Sequence, residues 1–381
     1  MKKGLAGLTQ RIRVGVIFGG KSGEHEVSIQ SGQSILNALD QEAYEVVPIG
    51  ITRTGQWIVG QQASFALNQA TQIELGEQSQ YVQQPEANQA ATSAAAVVPI
   101  GELVPPELVG DFDVVIPVLH GPNGEDGTIQ GMLELFDIPY VGAGVLASAV
   151  GMDKVFMKKL FAEAGLPQVA YTFCTRKLWE TQPARVVQEV EENIGYPCFV
   201  KPANMGSSVG ISKVKTAKEL PVAIDLAARY DRKIIIEQGL DVREVEVAVL
   251  GNDEPEASVP GEVIPDHEFY DYEAKYVTGE SQLIIPAPLP AQVTEEIRRV
   301  AVEAFRAVDG SGLARMDFFV ERGTNRVLVN EINTMPGFTR FSMYPKLWEA
   351  TGLSYTQLLD RLIGLALERS TEKRRSTQNL S

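Results

Sequence analysis

The sequence is poor in cysteine and lacks any long uninterrupted apolar run. Its two cysteines, Cys174 and Cys198, show neither CxxC spacing nor a disulfide framework, which predicts an intracellular protein with reduced thiols. No stretch approaches the roughly 18 apolar residues of a membrane span, and the N-terminal MKKGLAGLTQRIR lacks the apolar segment of a signal peptide. We therefore expect a cytoplasmic protein with no membrane partner.

Positive charge is also scarce. Lys and Arg total 34 against 49 Asp and Glu, which gives a formal net charge of −15. A nucleic-acid groove needs a clustered basic face that releases counterions, so this balance argues against a nucleic-acid partner. Small acidic or zwitterionic substrates remain compatible wherever local lysines override the overall field.

What the sequence does contain is enough apolar residues for two or three globular domains, 44% of 381 residues. From residue 12, strand and helix patterns alternate through RVGVIFG, SIQSGQSILNALD, YEVVPIGIT, DVVIPVLHG and GTIQGMLELF. This alternation predicts an open parallel α/β domain over residues 12–150. A Gln-, Ala- and Ser-rich stretch at about 60–106 predicts a flexible surface insertion.

Two further segments mix helices and strands in an α+β pattern. The first, residues 151–243, runs from the helix DKVFMKKLFAEAG through PCFVKPA, VGISKVK and KELPVAIDLAARY to KIIIEQGL. The second, residues 244–370, contains EVEVAVL, the irregular stretch EVIPDHEFYDYEAKYVTGESQ, the helix TEEIRRVAVEAFRAV, and the strands LARMDFFVE and RVLVNEIN. The polar end, residues 371–381, predicts a disordered tail.

Residues 15–22, GVIFGGKS, match the P-loop pattern GxxxxGKS. In a P-loop the four central positions form a loop around phosphate, whereas here Val16 to Phe18 are apolar and predict the interior of a buried strand. The turn begins at Gly19. Glu24 and Ser28 then lie at the C-terminal edge of the strand, where open α/β sheets bind ligands. The stretch predicts a ligand site and does not identify the ligand.

The segment FVKPANMGSSVGISKV combines a lysine with a Gly- and Ser-rich turn between two strands. Gly206 and Gly210 allow the backbone to approach a ligand closely, and the hydroxyls of Ser207 and Ser208 can donate to phosphate oxygens. Lys201 adds a positive charge. A phosphate site and an ordinary flexible hairpin both fit this segment alone.

In ARMDFFVERGTNRVLVNEIN, polar residues recur at spacing two on paired strands. Arg315 and Asp317 share one face, as do Glu331 and Asn333 on the partner strand. Two carboxylates and an amide form an oxygen cluster suited to Mg²⁺ that bridges nucleotide phosphates. A solvated polar face is the alternative, because the intervening residues are apolar and could form a buried face opposite.

The strand IIIEQGL turns polar at its end, where backbone groups could bind the edge of an adenine ring. The nearby carboxylate of Glu244 could then bind the ribose hydroxyls. Glu244 and Glu246 could equally alternate outward from an edge strand.

Taken in order, these motifs resemble the ATP-grasp superfamily and, within it, the D-alanine:D-alanine ligases. The resemblance runs from about Arg13 to Leu367 through FGGKSGEHEVS, LHGPNGEDGTIQG, GMDKVFMKKL, FVKPANMGSSVG, IIEQGL, FYDYEAKY, ARMDFF and NEINTMPGFTRFSMYP. It implies an ATP-grasp fold of three domains, in which an N-terminal open parallel α/β domain is followed by two α+β domains that sandwich the nucleotide.

The resemblance also implies the ligands of each position. ATP would contact Lys154, Lys201, Ser207, Ser208, Glu237, Gln238, Leu240 and Glu244. Two Mg²⁺ ions, with Mn²⁺ as a substitute, would be held by Asp317, Glu331 and Asn333.

For the amino-acid substrates, the resemblance implies that Glu24 binds the amino group of the first D-alanine, with His120 beside it. His120 could also be a structural histidine at a strand end, as we expect His25 and His267 to be. Arg315 would stabilise the oxyanion, and Gly337 and Ser342 would bind the carboxylate of the second D-alanine. Ser207 and Tyr276 would form a hydrogen-bond network with Glu24. Lys275 would lie near the transferred phosphate.

The implied reaction is ATP-dependent synthesis of D-alanyl-D-alanine for peptidoglycan precursors through an acyl phosphate, beneath a lid formed by residues 266–282. Tyrosine at position 276 favours an amine acceptor, because relatives that make the D-lactate ester tend to have phenylalanine there. The family also implies a homodimer. An ATP-grasp ligase with another acceptor such as D-lactate, and a nucleotide-binding regulator that has lost catalysis, are the alternatives.

Overall fold

The computed structural model describes residues 11–60, 63, 97–98, 112–264 and 282–378. The strands are β1 (Ile12–Gly19), β2 (Tyr44–Ile51), β3 (Trp57–Val59), β4 (Val97–Val98), β5 (Val114–Pro117), β6 (Tyr171–Thr175), β7 (Cys198–Pro202), β8 (Ser212–Val214), β9 (Lys233–Gln238), β10 (Val242–Gly251), β11 (Glu256–Ala257), β12 (Gly261–Ile264), β13 (Gln282–Ile284), β14 (Gly312–Glu321) and β15 (Val327–Asn333). The helices are α1 (His25–Ala38), α2 (Thr128–Leu135), α3 (Val145–Met152), α4 (Lys154–Glu163), α5 (Arg176–Thr181), α6 (Pro183–Asn193), α7 (Leu220–Tyr230), α8 (Ala291–Ala307), α9 (Met343–Thr351) and α10 (Tyr355–Gln378).

The first sheet has the strand order β4-β3-β2-β1-β5, and β1 pairs in parallel with both β2 and β5. The predicted parallel arrangement is confirmed, with β3 added antiparallel at the edge. Val16 to Phe18 are buried inside β1, so these residues do not form a phosphate-binding loop. The turn follows at Gly19 and Gly20, whose φ angles of 94° and 98° favour glycine.

Two antiparallel sheets follow along the chain. The second sheet has the order β6-β9-β7-β8, and β7 and β8 form the predicted hairpin. The third has the order β13-β12-β10-β14-β15, with β11 on the outer part of β10. Helix α8 covers the third sheet with an apolar stripe that includes Ile297, Ala301 and Phe305, because these residues recur at helical spacing.

The C-terminal helix α10 returns to the first sheet. Leu358 and Leu362 belong to the same core cluster as Val14 and Val16 of β1. The prediction of a disordered tail is wrong for residues 371–378, because α10 continues through Gln378. An ion pair between Lys373 and Glu134 attaches the polar end of α10 to helix α2. None of the helices described combines the length and apolar composition needed to cross a membrane. The domain boundaries at 150 and 243 remain predictions.

Candidate active site

Glu24 lies between the turn that ends β1 and the start of α1, where it meets a loop from the second sheet. Ser207 donates its hydroxyl hydrogen to Oε1 of Glu24. Two glycines leave room for this carboxylate: a Cβ atom at Gly121 would lie 2.6 Å from Oε2, and one at Gly206 would lie 3.0 Å away. The predicted pairing of Ser207 with Glu24 is therefore present in the structure.

The turn between β7 and β8 has an unusual backbone. Ser207 and Ser208 both have positive φ angles, 50° and 58°, which side-chain-bearing residues seldom adopt. Lys154 holds the beginning of this turn, because its ammonium group donates to the carbonyl oxygen of Met205 at 3.0 Å. The same ammonium lies 3.3 Å from Oε2 of Glu331, so Lys154 joins the turn to the predicted metal ligands.

Beneath this turn lies a buried group of three charged side chains, Lys158, Lys201 and Glu237, which we call the lysine–glutamate cluster. Each carboxylate oxygen of Glu237 contacts a different lysine. Oε1 is 2.8 Å from the Lys158 ammonium, and Oε2 is 2.5 Å from the Lys201 ammonium. Lys158 and Glu237 are 1% and 2% exposed, whereas Lys201 is 9% exposed. Sequence reasoning missed Lys158, although it lies one helical turn after Lys154 and so on the same face of α4.

Electrostatics favours the charged forms of Glu237 and Lys201. Burial alone would raise the pKa of Glu237, but the ammonium groups of Lys158 and Lys201 outweigh it and hold that pKa well below its usual value. Burial works against the charged form of Lys201, yet Glu237 and then Glu331 raise its pKa. The Glu237 carboxylate is therefore engaged by lysines. Gln238, Leu240 and Glu244 follow it, half-buried, and the implied nucleotide contacts of these residues remain predictions.

Arg315, Asp317, Glu331 and Asn333 meet on adjacent strands of the third sheet. Cross-strand pairing places Arg315 opposite Asn333 and Asp317 opposite Glu331. The guanidinium of Arg315 binds Asp317 through two parallel contacts, Nε–Oδ1 at 2.7 Å and Nη2–Oδ2 at 2.8 Å. The amide nitrogen of Asn333 also donates to Oδ2, at 2.9 Å. The predicted shared face is thus present, and it is packed with charge.

The donor set on this face suits a hard cation, because it offers carboxylate oxygens and the amide oxygen of Asn333. Within the described residues no group of three or more His, Cys, Asp or Glu side chains could by itself hold a metal ion. A cation here would therefore depend on Asp317, Glu331 and Asn333 together with oxygens from a ligand. That combination is typical of Mg²⁺, which usually keeps ligands from substrate phosphates.

Glu246 is a further carboxylate that sequence reasoning left as an outward-facing alternative. It lies on β10 directly opposite Asp317, and its Oε2 is 3.0 Å from Nε of Arg315. Arg315 is therefore held by acidic groups from two strands. The signal was available in the two-residue spacing of Glu244 and Glu246, which puts both on one face.

His120 lies in the loop after β5 and has protein partners at both ring nitrogens. Nδ1 is 2.9 Å from the carbonyl oxygen of Met335, which accepts, so Nδ1 carries the hydrogen. Nε2 is 3.4 Å from the hydroxyl oxygen of Ser31, and that oxygen accepts a hydrogen bond from the backbone N–H of Phe338 at 3.1 Å. Burial lowers the pKa of His120, although the nearby Glu24 opposes the shift. The neutral ring thus joins α1 to the loop after β15. Its implied position beside the first substrate stays a prediction.

That loop leads to the implied site for the second substrate. Ser342 is the N-cap residue of α9, and its hydroxyl oxygen accepts from the backbone N–H of Thr339 at 3.0 Å. A Cβ atom on Gly337 would lie 3.1 Å from this oxygen, so the loop packs closely. A helix N-terminus favours an anionic group, which suits a carboxylate. Tyr276, Lys275, His267 and the lid predicted at 266–282 lie almost entirely outside the described residues.

Glu125, in the motif LHGPNGEDG, was also missed. It is buried, and burial raises its pKa well above the usual value, with the charge of Glu24 adding to the effect. Lys154 and Arg315 oppose the shift without cancelling it. A protonated carboxyl group can donate a hydrogen bond as well as accept one. The flanking glycines Gly124 and Gly121 of the same motif were the available signal.

Comparison with known proteins agrees with this architecture. The family model described as D-ala D-ala ligase N-terminus matches residues 13–143, and the one described as D-ala D-ala ligase C-terminus matches residues 160–364. A D-alanine–D-alanine ligase from Heliobacterium modesticaldum is 53% identical over 369 residues, which cover 95% of this chain and 96% of the relative.

Two solved structures are also similar over nearly the whole chain. The D-alanine-D-alanine ligase from Coxiella burnetii has a TM-score of 0.77 at 37% identity and covers 97% of each chain. VanG D-Ala:D-Ser ligase from Enterococcus faecalis has the same TM-score and identity, with coverage of 94% of this chain and 100% of that one. The fold is the ATP-grasp fold. The chain belongs to the D-alanine–D-alanine ligase family, which confirms the resemblance found in the sequence.

Proposed function

We propose that this protein uses ATP to join two D-alanine molecules into D-alanyl-D-alanine, a precursor for bacterial peptidoglycan, with release of ADP and phosphate. The observation that carries the proposal is the contact between Ser207 and Glu24. It brings a turn suited to phosphate against a carboxylate suited to an amino acid's ammonium group. Curated relatives about half identical over nearly the full chain have the same activity in their names.

In this proposal the nucleotide lies between the second and third sheets. Lys154 and Lys201 contact its phosphates, the turn at Ser207 and Ser208 covers them, and the end of β9 together with the residues that follow it holds the adenosine. Mg²⁺ would bind at Asp317, Glu331 and Asn333, where it would neutralise charge on the phosphates. The oxygen donors on that face support the assignment.

The reaction then runs in two steps. Glu24 orients the first D-alanine by binding its ammonium group. The carboxylate of this D-alanine attacks the γ-phosphorus of ATP, so that a new oxygen–phosphorus bond forms while the bond to ADP breaks and ADP leaves. The amine of the second D-alanine attacks the carbonyl carbon of this acyl phosphate, loses a proton, and expels phosphate as the C–N bond forms. Arg315 stabilises the oxyanion of the tetrahedral intermediate. Gly337 and Ser342 hold the carboxylate of the second D-alanine.

The second substrate, which accepts the activated D-alanine, differs among related ligases. VanG from Enterococcus faecalis, a D-Ala:D-Ser ligase by name, is 37% identical to this chain, so the family accommodates other acceptors on one fold. Tyr276 favours an amine over a hydroxy acid. We therefore expect D-alanine to be preferred over D-lactate.

The proposal extends to the setting of the enzyme, which we place in the cytoplasm, where ATP is available. We also propose a homodimer. The apolar side chains of Val145 and Leu146, at the start of α3, are 41% and 59% exposed, which supports a protein contact there. Light scattering on purified protein checks the mass, and a monomer at micromolar concentration would contradict the dimer.

Product identification tests the function. The protein is incubated with ATP, Mg²⁺ and D-alanine, with L-alanine, with D-alanine plus D-serine, or with D-alanine plus D-lactate, and ADP and condensation products are measured by mass. We expect ADP release and dipeptide with D-alanine alone. Product only with a second acceptor would overturn the substrate, and ATP binding without any D-alanine-dependent ADP release would favour a regulatory protein.

A further inference from the structure

The lysine–glutamate cluster contains one cation more than it has anions. Lys158 and Lys201 share a single carboxylate, that of Glu237, and each contacts a different oxygen of it. The cluster thus keeps one net positive charge in a buried environment, where charge is weakly screened. Glu331 also acts on Lys201, but its carboxylate lies 3.3 Å from the ammonium of a further lysine, Lys154. The surplus positive charge is therefore not cancelled by Glu331, and it is available to an anionic ligand at the surface of the cluster.

The two lysines differ in their access to that surface. Lys158 is 1% exposed and also lies within 3.4 Å of the carbonyl oxygen of Asn330, so it is enclosed by protein. Lys201 is more exposed and lies at the end of β7, next to the turn that contains Ser207. A phosphate can reach Lys201, whereas Lys158 lies behind Glu237.

Helix α4 holds Lys158 firmly in this position. The carboxylate of Asp153 caps the helix by accepting from the backbone N–H groups of Val155 and Phe156, at 3.1 and 3.2 Å. Asp153 also pairs with Lys233 of β9, the strand that carries Glu237. The helix and the strand are therefore tied together one turn away from the ion pair.

We propose that Lys158 is a positioning residue for the nucleotide phosphates, which it never touches. It occupies one oxygen of Glu237, so that the carboxylate neutralises only part of the charge on Lys201. Without Lys158, the carboxylate would pair with Lys201 alone and cancel its charge. The inference rests on the nucleotide site assigned above and adds a residue that sets the strength of that site.

The test compares binding of ATP and adenosine by calorimetry, with Mg²⁺ present and D-alanine absent. Lys158→Met should raise the Kd for ATP by about tenfold or more while the Kd for adenosine changes less than about twofold, since adenosine has no phosphates. Lys159→Met is the matched control, because Lys159 is the next residue on the helix and is exposed. It should change neither Kd.

A double variant separates charge from packing. Lys158→Met combined with Glu237→Gln removes one cation and the anion, which restores one net positive charge, so the Kd for ATP should return to within about threefold of the wild-type value. This variant also leaves no unpaired buried carboxylate, so it keeps the test valid should Lys158→Met alone fail to fold. Failure of the double variant to recover ATP binding would overturn the inference.

Two other outcomes would also contradict it. An unchanged Kd for ATP in folded Lys158→Met would show that the surplus charge does not act on the phosphates. Equal weakening of ATP and adenosine would show a general loss of packing. A wild-type protein that binds neither ligand would instead overturn the nucleotide site itself, together with the function proposed from it.

Discussion

Two buried glutamates at opposite ends of the candidate site have pKa values shifted in opposite directions. Glu237, at the nucleotide end, is flanked by two lysines that lower its pKa in spite of burial. Glu125, at the amino-acid end, is near Glu24, and burial raises its pKa. The same residue type is therefore ionised at one end and held towards the neutral form at the other. Burial raises the pKa of both carboxyl groups, and the two lysines beside Glu237 reverse that effect there, whereas the charges around Glu125 do not.

The difference matches what each end has to bind. ATP brings several negative charges, which the proposed surplus positive charge of the cluster would attract. In the proposed assignment, the first D-alanine brings an ammonium group that Glu24 binds. A second full negative charge at Glu125 would repel Glu24, so a raised pKa there leaves Glu24 as the main anion at that end. Each prediction below breaks or sharpens this contrast, beginning with the largest expected effect.

Glu237→Ala should be the most damaging substitution. It leaves the buried ammonium groups of Lys158 and Lys201 without their shared anion, and breaking a buried ion pair on one side costs about 3–5 kcal/mol. Denaturant unfolding followed by circular dichroism measures the loss. A cost below about 1 kcal/mol would mean that the two lysines find other partners or lose their protons.

Arg315→Ala should lower turnover by about two to three orders of magnitude, because it removes the group assigned to the oxyanion. Binding of ATP should change little, since the lysines at the nucleotide end remain. Arg322→Ala is the control, because Arg322 follows the same strand and its ion pair with Asp241 is exposed. Stopped assays of ADP release provide the measurement, and near-normal turnover would remove Arg315 from the mechanism.

The pH dependence of stability should reveal the ionised state of Glu237. A carboxyl group whose pKa is lowered in the folded protein stabilises that state fully above the unfolded pKa, 4.5 here, and the stabilisation is lost progressively as the pH falls below 4.5 towards the lowered pKa of the folded state. Glu237→Gln lacks this contribution. The difference in free energy of unfolding between wild type and variant should therefore stay constant from about pH 7 to about pH 5 and shrink as the pH falls from about 5 to about 3. A difference that also stays constant over the lower range would mean that Glu237 does not change its charge.

Ser31→Ala should have a moderate effect at the acceptor side. It removes the hydrogen bond from the backbone N–H of Phe338 and the contact with His120, which together fix the loop that carries Ser342. We expect the KM for the second D-alanine to rise by about fivefold, which corresponds to about 1 kcal/mol, with a smaller change in kcat.

Ser28→Ala is the matched control for this prediction. Ser28 is also buried on α1, but it bonds to Gly19 and Val118 and not to the acceptor loop. Fitting rates over a wide range of D-alanine concentrations to an ordered two-substrate scheme separates the two KM values. Equal changes in both variants would indicate a general effect on α1.

Glu125→Gln should have the smallest effect on stability, less than about 1 kcal/mol near neutral pH, because an amide resembles a protonated carboxyl group in shape and lack of charge. Unfolding in denaturant measures the change beside Glu237→Gln under identical conditions. A cost as large as that of Glu237→Gln would show that Glu125 is ionised, and the contrast between the two ends would fail.

The strands and their polar faces follow from short-range patterns, so they could be predicted. The spacing of Arg315 and Asp317 fixes their common face, and the apolar run through Val16 and Phe18 fixes β1. The place of Lys158 in the lysine–glutamate cluster was not predictable from such patterns, because Lys158 and Glu237 are brought together by packing of α4 against β9. Lys158 by itself has the sequence pattern of an ordinary helical surface residue.

The C-terminal helix also makes contacts that short-range sequence patterns do not predict. The composition EKRRSTQNLS favours a solvated, frayed segment. Residues up to Gln378 are nevertheless helical, and they contact residues more than two hundred positions earlier in the chain, as in the bond from Arg374 to the carbonyl oxygen of Asp137. Similarly, Ser31 becomes part of the site only through Phe338, on a loop that follows the third sheet.

The most direct test of the proposed chemistry follows the carboxylate oxygen of the first D-alanine. D-alanine labelled with ¹⁸O in its carboxylate is incubated with ATP, Mg²⁺ and the protein, and the phosphate released with ADP is examined by mass spectrometry. The acyl-phosphate route predicts one ¹⁸O atom in each phosphate, because the oxygen that attacks phosphorus leaves with it. Unlabelled phosphate, with dipeptide or without it, would contradict the account.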